Sequence, residues 1–242
     1  MLKGLILAGG TGSRLFPLTK ACNKNLLPVG NEPMLYLPIK KMTEIGIFNI
    51  CIVTSADAIA AVTRCLGSGA EIDPRLRLQY VIQDTPNGIA AAVGLARDFV
   101  GDNPFVVILG DNVFDESLFP VVEHFKKYPE KAMVYTYEVS DPERFGVVQY
   151  DATGDMVEKI VEKPRIPPSN QIVTGVYAYP RMSAFDHIDT LVPSARGELE
   201  ITDLNNCYIP YSLRTHRMTG TWIDCGTMAS LKAANLWAWS KT

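Results

Sequence analysis

The sequence predicts an α/β protein with a mostly parallel central sheet, and three observations carry that expectation. Short apolar runs stand at residues 4–8, 50–54, 76–82 and 105–109, as expected for the strands of a mostly parallel sheet covered on both faces. Segments of helical periodicity separate them, a βαβ rhythm that sets helices against both faces of the sheet. At 242 residues the chain is long enough to bury such a core in one large domain. The first half is therefore expected to be Rossmann-like, a three-layer α/β/α arrangement.

The elements follow in order. The first strand runs into a glycine-rich turn. Asn31 followed by Pro33 reads as a helix start, Gly46 as its stop, and Pro38 inside it as a kink. After about residue 130 the texture becomes β-rich, with strands predicted at 132–139, 147–150, 157–163 and 173–179 and a turn at 152–155. Helices are predicted at 181–187, 202–208 and 227–239, the last capped by Thr227, and short strands at 213–218 and 221–223. No repeat, linker or low-complexity segment interrupts the chain. It divides into a part of about 1–130, a part of about 131–227 and a C-terminal helix at 228–242, within a single domain.

Composition narrows the functions. The formal net charge of −3 argues against a broad nucleic-acid surface. No apolar stretch is long enough for a membrane span, and the chain starts directly on a strand rather than on a cleavable leader, so a cytoplasmic protein is expected. Cys22, Cys51, Cys65, Cys207 and Cys225 are odd in number and lack the C-x-x-C spacing, which fits reduced thiols better than a disulfide framework or a zinc site. His124, His187 and His216 are scattered and receive no role.

The richest segment is Leu5-Ile6-Leu7-Ala8-Gly9-Gly10-Thr11-Gly12-Ser13-Arg14-Leu15, followed by Lys24-Asn25-Leu26-Leu27-Pro28-Val29. Glycines at 9, 10 and 12 let peptide N–H groups converge on an anion, and Arg14 and Lys24 add positive charge, as a triphosphate cradle requires. The glycines alone fit a purely conformational turn equally well. A dinucleotide fingerprint would need a third glycine where Ser13-Arg14-Leu15 stands, and no segment carries the Walker A pattern.

Gly110-Asp111-Asn112 closes the 105–109 strand, where ligands collect beyond the carboxyl ends of a parallel sheet. A lone aspartate there also serves as a turn or helix cap. A second carboxylate, Asp224 in Trp222-Ile223-Asp224-Cys225-Gly226-Thr227, stands at another predicted strand end. Gln83 precedes Thr85-Pro86-Asn87-Gly88, and an amide there offers both a donor and an acceptor. Further on come Glu143-Arg144-Phe145-Gly146-Val147-Val148, Glu162-Lys163-Pro164, Thr174-Gly175-Val176-Tyr177 and the run from Pro193 through Arg196 to Asp203. Glutamate beside lysine is ordinarily a solvated pair.

With Pro17 and Thr19 between Arg14 and Lys24, this set, ordered from Leu5 to Thr227, resembles the sugar-1-phosphate nucleotidylyltransferases, and most nearly the short form of the glucose-1-phosphate thymidylyltransferases. The resemblance implies a nucleotidyltransferase fold with a β-rich sugar-binding part. It also implies Mg²⁺-dependent nucleotidylyl transfer from dTTP or UTP to a sugar 1-phosphate, α-D-glucose 1-phosphate first among them, giving dTDP-glucose or another nucleotide sugar and pyrophosphate. Arg14, Lys24, Asp111 and Asp224 are then catalytic, and Asp111 with Asp224 holds the metal. Leu7, Gly9, Gly10, Thr11, Gly12, Ser13, Arg14, Gln83, Pro86, Gly88 and Asp111 take the nucleotide, Gln83 and the Gly88 backbone reading a pyrimidine edge. Asn112, Gly146, Glu162, Lys163, Val173, Thr174 and Arg196 take the sugar phosphate. A homo-oligomer, dimer or tetramer, is implied, with neither nucleic acid nor membrane as partner.

Three positions depart from the family pattern. Asn25 stands where glutamine or histidine is usual, Phe145 where tyrosine is frequent and Cys225 where threonine is common. The first two, Asn25 and Phe145, keep open the same chemistry on a different sugar or nucleotide in a specialised deoxysugar route. A reading of another class is a non-catalytic subunit that senses nucleotide sugars; retention of both cations and both carboxylates speaks against it.

Overall fold

The computed structural model describes residues 1–241 except Asp155, Met182 and Ser212. Asp155 of the predicted 152–155 turn, Met182 of the predicted 181–187 helix and Thr242 at the end of the 228–242 segment thus lie outside the described residues. The chain forms two compact units built from interleaved segments: one holds residues 3–86, 108–118 and 220–242, the other 1–2, 87–107 and 119–219. The change of texture near residue 130 is therefore not the boundary between them, because the chain passes from one unit to the other several times.

In the first unit the strand Lys3–Leu7 pairs parallel with Asn49–Ser55, which pairs parallel with Arg77–Gln83. Leu5, Ile6, Ile50, Cys51 and Ile52 are all fully buried, so adjacent residues on opposite faces are covered, as the continuous apolar runs require. Arg77–Gln83 alternates exposed and half-buried residues, the pattern of an edge strand. On the other side of the first strand the Gly110 N–H donates to the Leu7 carbonyl at 2.9 Å, beyond the end of the strand Phe105–Leu109. The strand order thus reverses beside Leu7, and such a switch point opens a crevice at the strands' carboxyl ends.

Two local expectations for this unit are corrected and one strand is added. Asn31 is not a helix cap: Pro28–Val29 and Glu32–Pro33 form a small antiparallel hairpin, and the helix runs from Tyr36 to Glu44. Pro38 makes no kink, because as third residue it lies in the first turn, where a missing N–H forfeits no intrahelical bond. The strand Asn112–Phe114, absent from the sequence reading, pairs antiparallel with Trp222–Asp224, setting Asp224 opposite Asn112. Gly46 does stop the helix, in a left-handed conformation with φ of 81°. Thr227 caps the helix Met228–Trp239 through a reciprocal pair of bonds with Ser230.

The second unit is β-rich, as expected. Gln171–Tyr179, buried from Ile172 onward, runs antiparallel to Met133–Glu138 and to Gly146–Tyr150, which in turn pairs antiparallel with Val157–Glu162. Arg214–Arg217 adds a parallel edge to Met133–Glu138. The helices Ser183–Ile188 and Ile201–Cys207 follow the predicted positions. A register shift between Val173 and Tyr177 bends the central strand at Thr174-Gly175-Val176.

Candidate active site

In the first unit the glycine-rich turn takes the shape that glycine permits. Gly10 and Gly12 have φ of 91° and 62°, and a Cβ on Gly12 would lie 2.8 Å from the Thr19 methyl. Thr19 Oγ1 donates to the Gly12 carbonyl at 2.7 Å and pins the turn. Thr11, Ser13 and Arg14 are exposed at its rim, whereas Leu7 is buried beneath it. The Lys24 ammonium lies beside Gly10, 3.6 Å from where a Cβ would stand, and the Gln83 amide oxygen comes equally close to the Cβ position of Gly9. Gly9, Gly10, Thr11, Ser55, Gln83 and Pro86 line a cavity of about 300 Å³.

Beside that cavity the charged groups meet. Lys24 Nζ hydrogen-bonds Asp111 Oδ2, with only 17% and 11% of the two side chains exposed. Burial alone would lower the Lys24 pKa, but the Asp111 charge and hydrogen bond, with Asp224 beyond, raise it above the ordinary lysine value. Burial likewise works to raise the Asp111 carboxyl, and Lys24 outweighs it, holding Asp111 below the usual carboxylate range. Arg14 reaches the same place: a Cβ on Gly226 would lie 2.8 Å from its guanidinium and 3.3 Å from Asp224 Oδ2. The strand pair explains the convergence, since the Cys225 N–H donates to the Asp111 carbonyl at 2.9 Å.

Asn112 is buried: its Nδ2 donates to Asp111 Oδ1 at 3.2 Å, and its Oδ1 accepts from Trp222 Nε1 at 2.7 Å. It braces the Asp111 carboxylate. Cys225, fully buried in an apolar cluster with Leu15, Leu27, Met34 and Leu231, has its thiol pKa pushed far up by burial and is a packing residue. Asn25 is also fully buried; its amide packs against Gly110 and Asn23 rather than lining the Gly9–Pro86 cavity.

The remaining candidates lie in the second unit. Glu162 is the hub: its Oε2 accepts from Thr202 Oγ1 at 2.5 Å, and its Oε1 lies 3.1 Å from Lys163 Nζ and 3.3 Å from the Arg196 guanidinium. Arg196 also forks onto Glu200 at 2.7 and 3.2 Å and approaches Glu198 at 3.3 Å. Gly146 backs this cluster, a Cβ there lying 2.9 Å from Thr202 Oγ1. Lys163 is the one non-glycine residue with positive φ, 42°, among the described residues, and such strain concentrates at functional sites. Val173 is buried, and Thr174 spends its hydroxyl on the Tyr135 carbonyl at 3.1 Å. Gly88 heads the helix Ile89–Gly94 with φ of 114°; a side chain there would run into the Leu199 backbone, whose carbonyl accepts from the Ala90 N–H.

Several contributors escape the sequence reading. Glu200, which also accepts from Ser194 Oγ at 2.6 Å, appears in the sequence only as part of an acidic run. Thr202 enters only inside the run ending at Asp203, with no role of its own, and Asn23 is not singled out by the sequence.

The donor set suits one hard cation. No group of three or more histidine, cysteine or acidic side chains is placed to hold a metal ion among the described residues, so a metal here would rest on Asp111 and Asp224, with phosphate oxygens and water completing its shell. Mg²⁺ favours such a partial set over an all-protein cage. No helix of the described residues is long and apolar enough to cross a membrane.

Residues 3–239 match the nucleotidyl transferase family. A glucose-1-phosphate thymidylyltransferase from Xanthomonas campestris is 42% identical over 238 residues, 96% of this chain and 79% of the relative, and one from Neisseria gonorrhoeae is 40% identical over 237 residues, 96% and 81%. Among solved structures, a Bacillus anthracis protein described as a glucose-1-phosphate thymidylyltransferase, in complex with sucrose, superposes with a TM-score of 0.92 at 47% identity, covering 98% of this chain and 95% of its own. A UDP-glucose pyrophosphorylase holding UDP-glucose shares the fold, with a TM-score of 0.88 at 24% identity and full coverage of both chains.

Proposed function

The chain belongs to the nucleotidyl transferase family, and we propose that it is an enzyme joining the nucleotidyl group of dTTP or UTP to a sugar 1-phosphate, with α-D-glucose 1-phosphate as the first substrate to test. The phosphate oxygen of the sugar attacks the α-phosphorus in line, and pyrophosphate leaves with the electrons of the broken P–O bond. The observation that carries this reading is Lys24, held on Asp111 beside the N–H-rich Gly10 turn, with Arg14 and Asp224 close by.

The nucleophile is already ionised near neutral pH, so no general base is required. The protein's task is to overcome repulsion between two anions and to stabilise charge on the transferring phosphoryl group. The Gly9–Gly12 turn supplies N–H donors for the triphosphate. Lys24 acts on the α-phosphate and Arg14 on the departing pyrophosphate. Asp111 and Asp224 would hold Mg²⁺, which when bound would supply charge neutralisation at the phosphates. Leu7, Pro86, Gln83 and the Gly88 backbone take the base. Glu162 accepts from sugar hydroxyls, Lys163 and Arg196 meet the sugar phosphate, and Gly146, Val173 and Thr174 shape the surroundings. Asn112 acts through Asp111, which it orients.

A panel measuring pyrophosphate release across four nucleoside triphosphates and several sugar 1-phosphates tests the reading. Turnover is expected with dTTP or UTP and a hexose 1-phosphate. Nucleotide-sugar binding without turnover on any pair would replace the enzyme with a sensing subunit.

A further inference from the structure

The residue before Lys24 ties together the two segments between which that lysine works. Asn23 Oδ1 accepts from the Asn25 N–H at 2.9 Å and from Asn25 Nδ2 at 3.0 Å, capping the short turn Lys24–Leu26. A backbone N–H can only donate, so the Asn23 oxygen must face the turn and its amide nitrogen must face the other way. That nitrogen meets the Ala8 carbonyl at 3.4 Å. Ala8 is the fully buried residue from which the glycine-rich turn departs, and Thr54 Oγ1 secures the same carbonyl at 3.1 Å. One planar side chain therefore fixes the spacing between the backbone of Lys24 and the root of Gly9-Gly10.

We propose that Asn23 is a positioning residue that sets Lys24 over the glycine-rich turn through its bridge to Ala8. This rests on the proposed role of Lys24 at the α-phosphate. A lysine side chain has four rotatable carbons and a large rotamer freedom, so the place of its ammonium depends on how its backbone is anchored as well as on its contact with Asp111. Displacing a catalytic group by about 1 Å is enough to cost on the order of a hundredfold in rate.

Two variants separate this role from plain turn capping. Asn23→Ala removes all three bonds, whereas Asn23→Ser keeps an oxygen for the turn but is too short to reach Ala8. Both are measured for thermal midpoint, for kcat and KM, and, in the free protein at one fixed pH, for the rate at which an amine acylating reagent modifies Lys24, read by peptide mass spectrometry. The expected result is a fall in kcat of about tenfold or more in both variants with nucleotide KM changed less than about twofold, and Lys24 acylated severalfold faster. Asn23→Ser keeps the parent's thermal midpoint, so a misfolded Asn23→Ala leaves the test intact. Parental kcat and parental Lys24 acylation in Asn23→Ser would overturn the proposal and leave Asn23 as a turn cap. If the parent turns over no substrate pair, the functional reading fails, and the acylation rates alone decide whether Asn23 places Lys24.

Discussion

The Lys24 ammonium is hydrogen-bonded to the Asp111 carboxylate where little of either side chain meets solvent, and each charge maintains the other. Removing one partner leaves the other buried and uncompensated. Lys24→Ala should lower kcat by on the order of a hundredfold or more, since its charge is needed most in the transition state. A change confined to KM would make Lys24 a ground-state binder. The pair also has a pH signature. In the parent, Asp111 titrates below its unfolded value, so its contribution to stability is present above the ordinary carboxylate pKa and lost as pH falls through the lower native one. In Lys24→Ala burial is opposed by the Asn112 and backbone hydrogen bonds but no longer by the lysine charge, so the native pKa of Asp111 rises and acidification should relieve the destabilisation. Thermal midpoints of both proteins from neutral to acid pH measure this, and parallel curves would contradict it.

Asp111→Asn and Asp224→Asn should each abolish most turnover, because an amide holds Mg²⁺ poorly and the proposed site has no third acidic ligand to compensate; Asp111→Asn should also lower the thermal midpoint by leaving Lys24 uncompensated. Near-normal rates at saturating Mg²⁺ would remove that residue from the metal site.

The base assignment rests on Gln83, whose amide oxygen lies close to Gly9 in the cavity wall. Gln83→Ala should cost about 1–3 kcal/mol of discrimination, with purine triphosphates gaining relative to dTTP and UTP. An unchanged ratio of kcat/KM between pyrimidine and purine nucleotides would withdraw Gln83 as the reader of the base.

Thr202 holds Glu162 by a 2.5 Å hydrogen bond from a buried position. Thr202→Val keeps the volume and removes the donor, and should raise KM for the sugar 1-phosphate about three- to tenfold while leaving nucleotide KM alone. Equal effects on both substrates would detach Glu162 from the sugar.

The buried strands, the glycine-rich turn and the charged residues Arg14, Lys24, Asp111 and Asp224 were legible in the sequence because their signals are local. Apolar continuity marks Lys3–Leu7 and Asn49–Ser55, and Gly10 and Gly12 announce left-handed backbone. What escaped depends on distant partners. Asn112–Phe114 is a strand only because Trp222–Asp224 pairs with it, 110 residues on, and that pairing is also what buries Asn112 as a brace rather than leaving it open. Glu200 looks like one of several surface acids until Arg196 and Ser194 fold onto it. Asn31 and Pro33 carry a helix-start signal, yet Gly30 turns the chain into a hairpin first. Asn25 and Cys225, two of the departures from the family pattern, are both fully buried, Cys225 within an apolar cluster.

The direct test of the central claim follows the oxygen that forms the new bond. Glucose 1-phosphate labelled with ¹⁸O in its non-bridging phosphate oxygens is incubated with dTTP, Mg²⁺ and the protein, and the products are read by ³¹P NMR. Attack of the sugar phosphate on the α-phosphorus predicts a dTDP-sugar with ¹⁸O in the bridge between its two phosphorus atoms and unlabelled pyrophosphate in equal amount. Release of pyrophosphate with no labelled bridge, the nucleotide having been taken by water, would contradict the account.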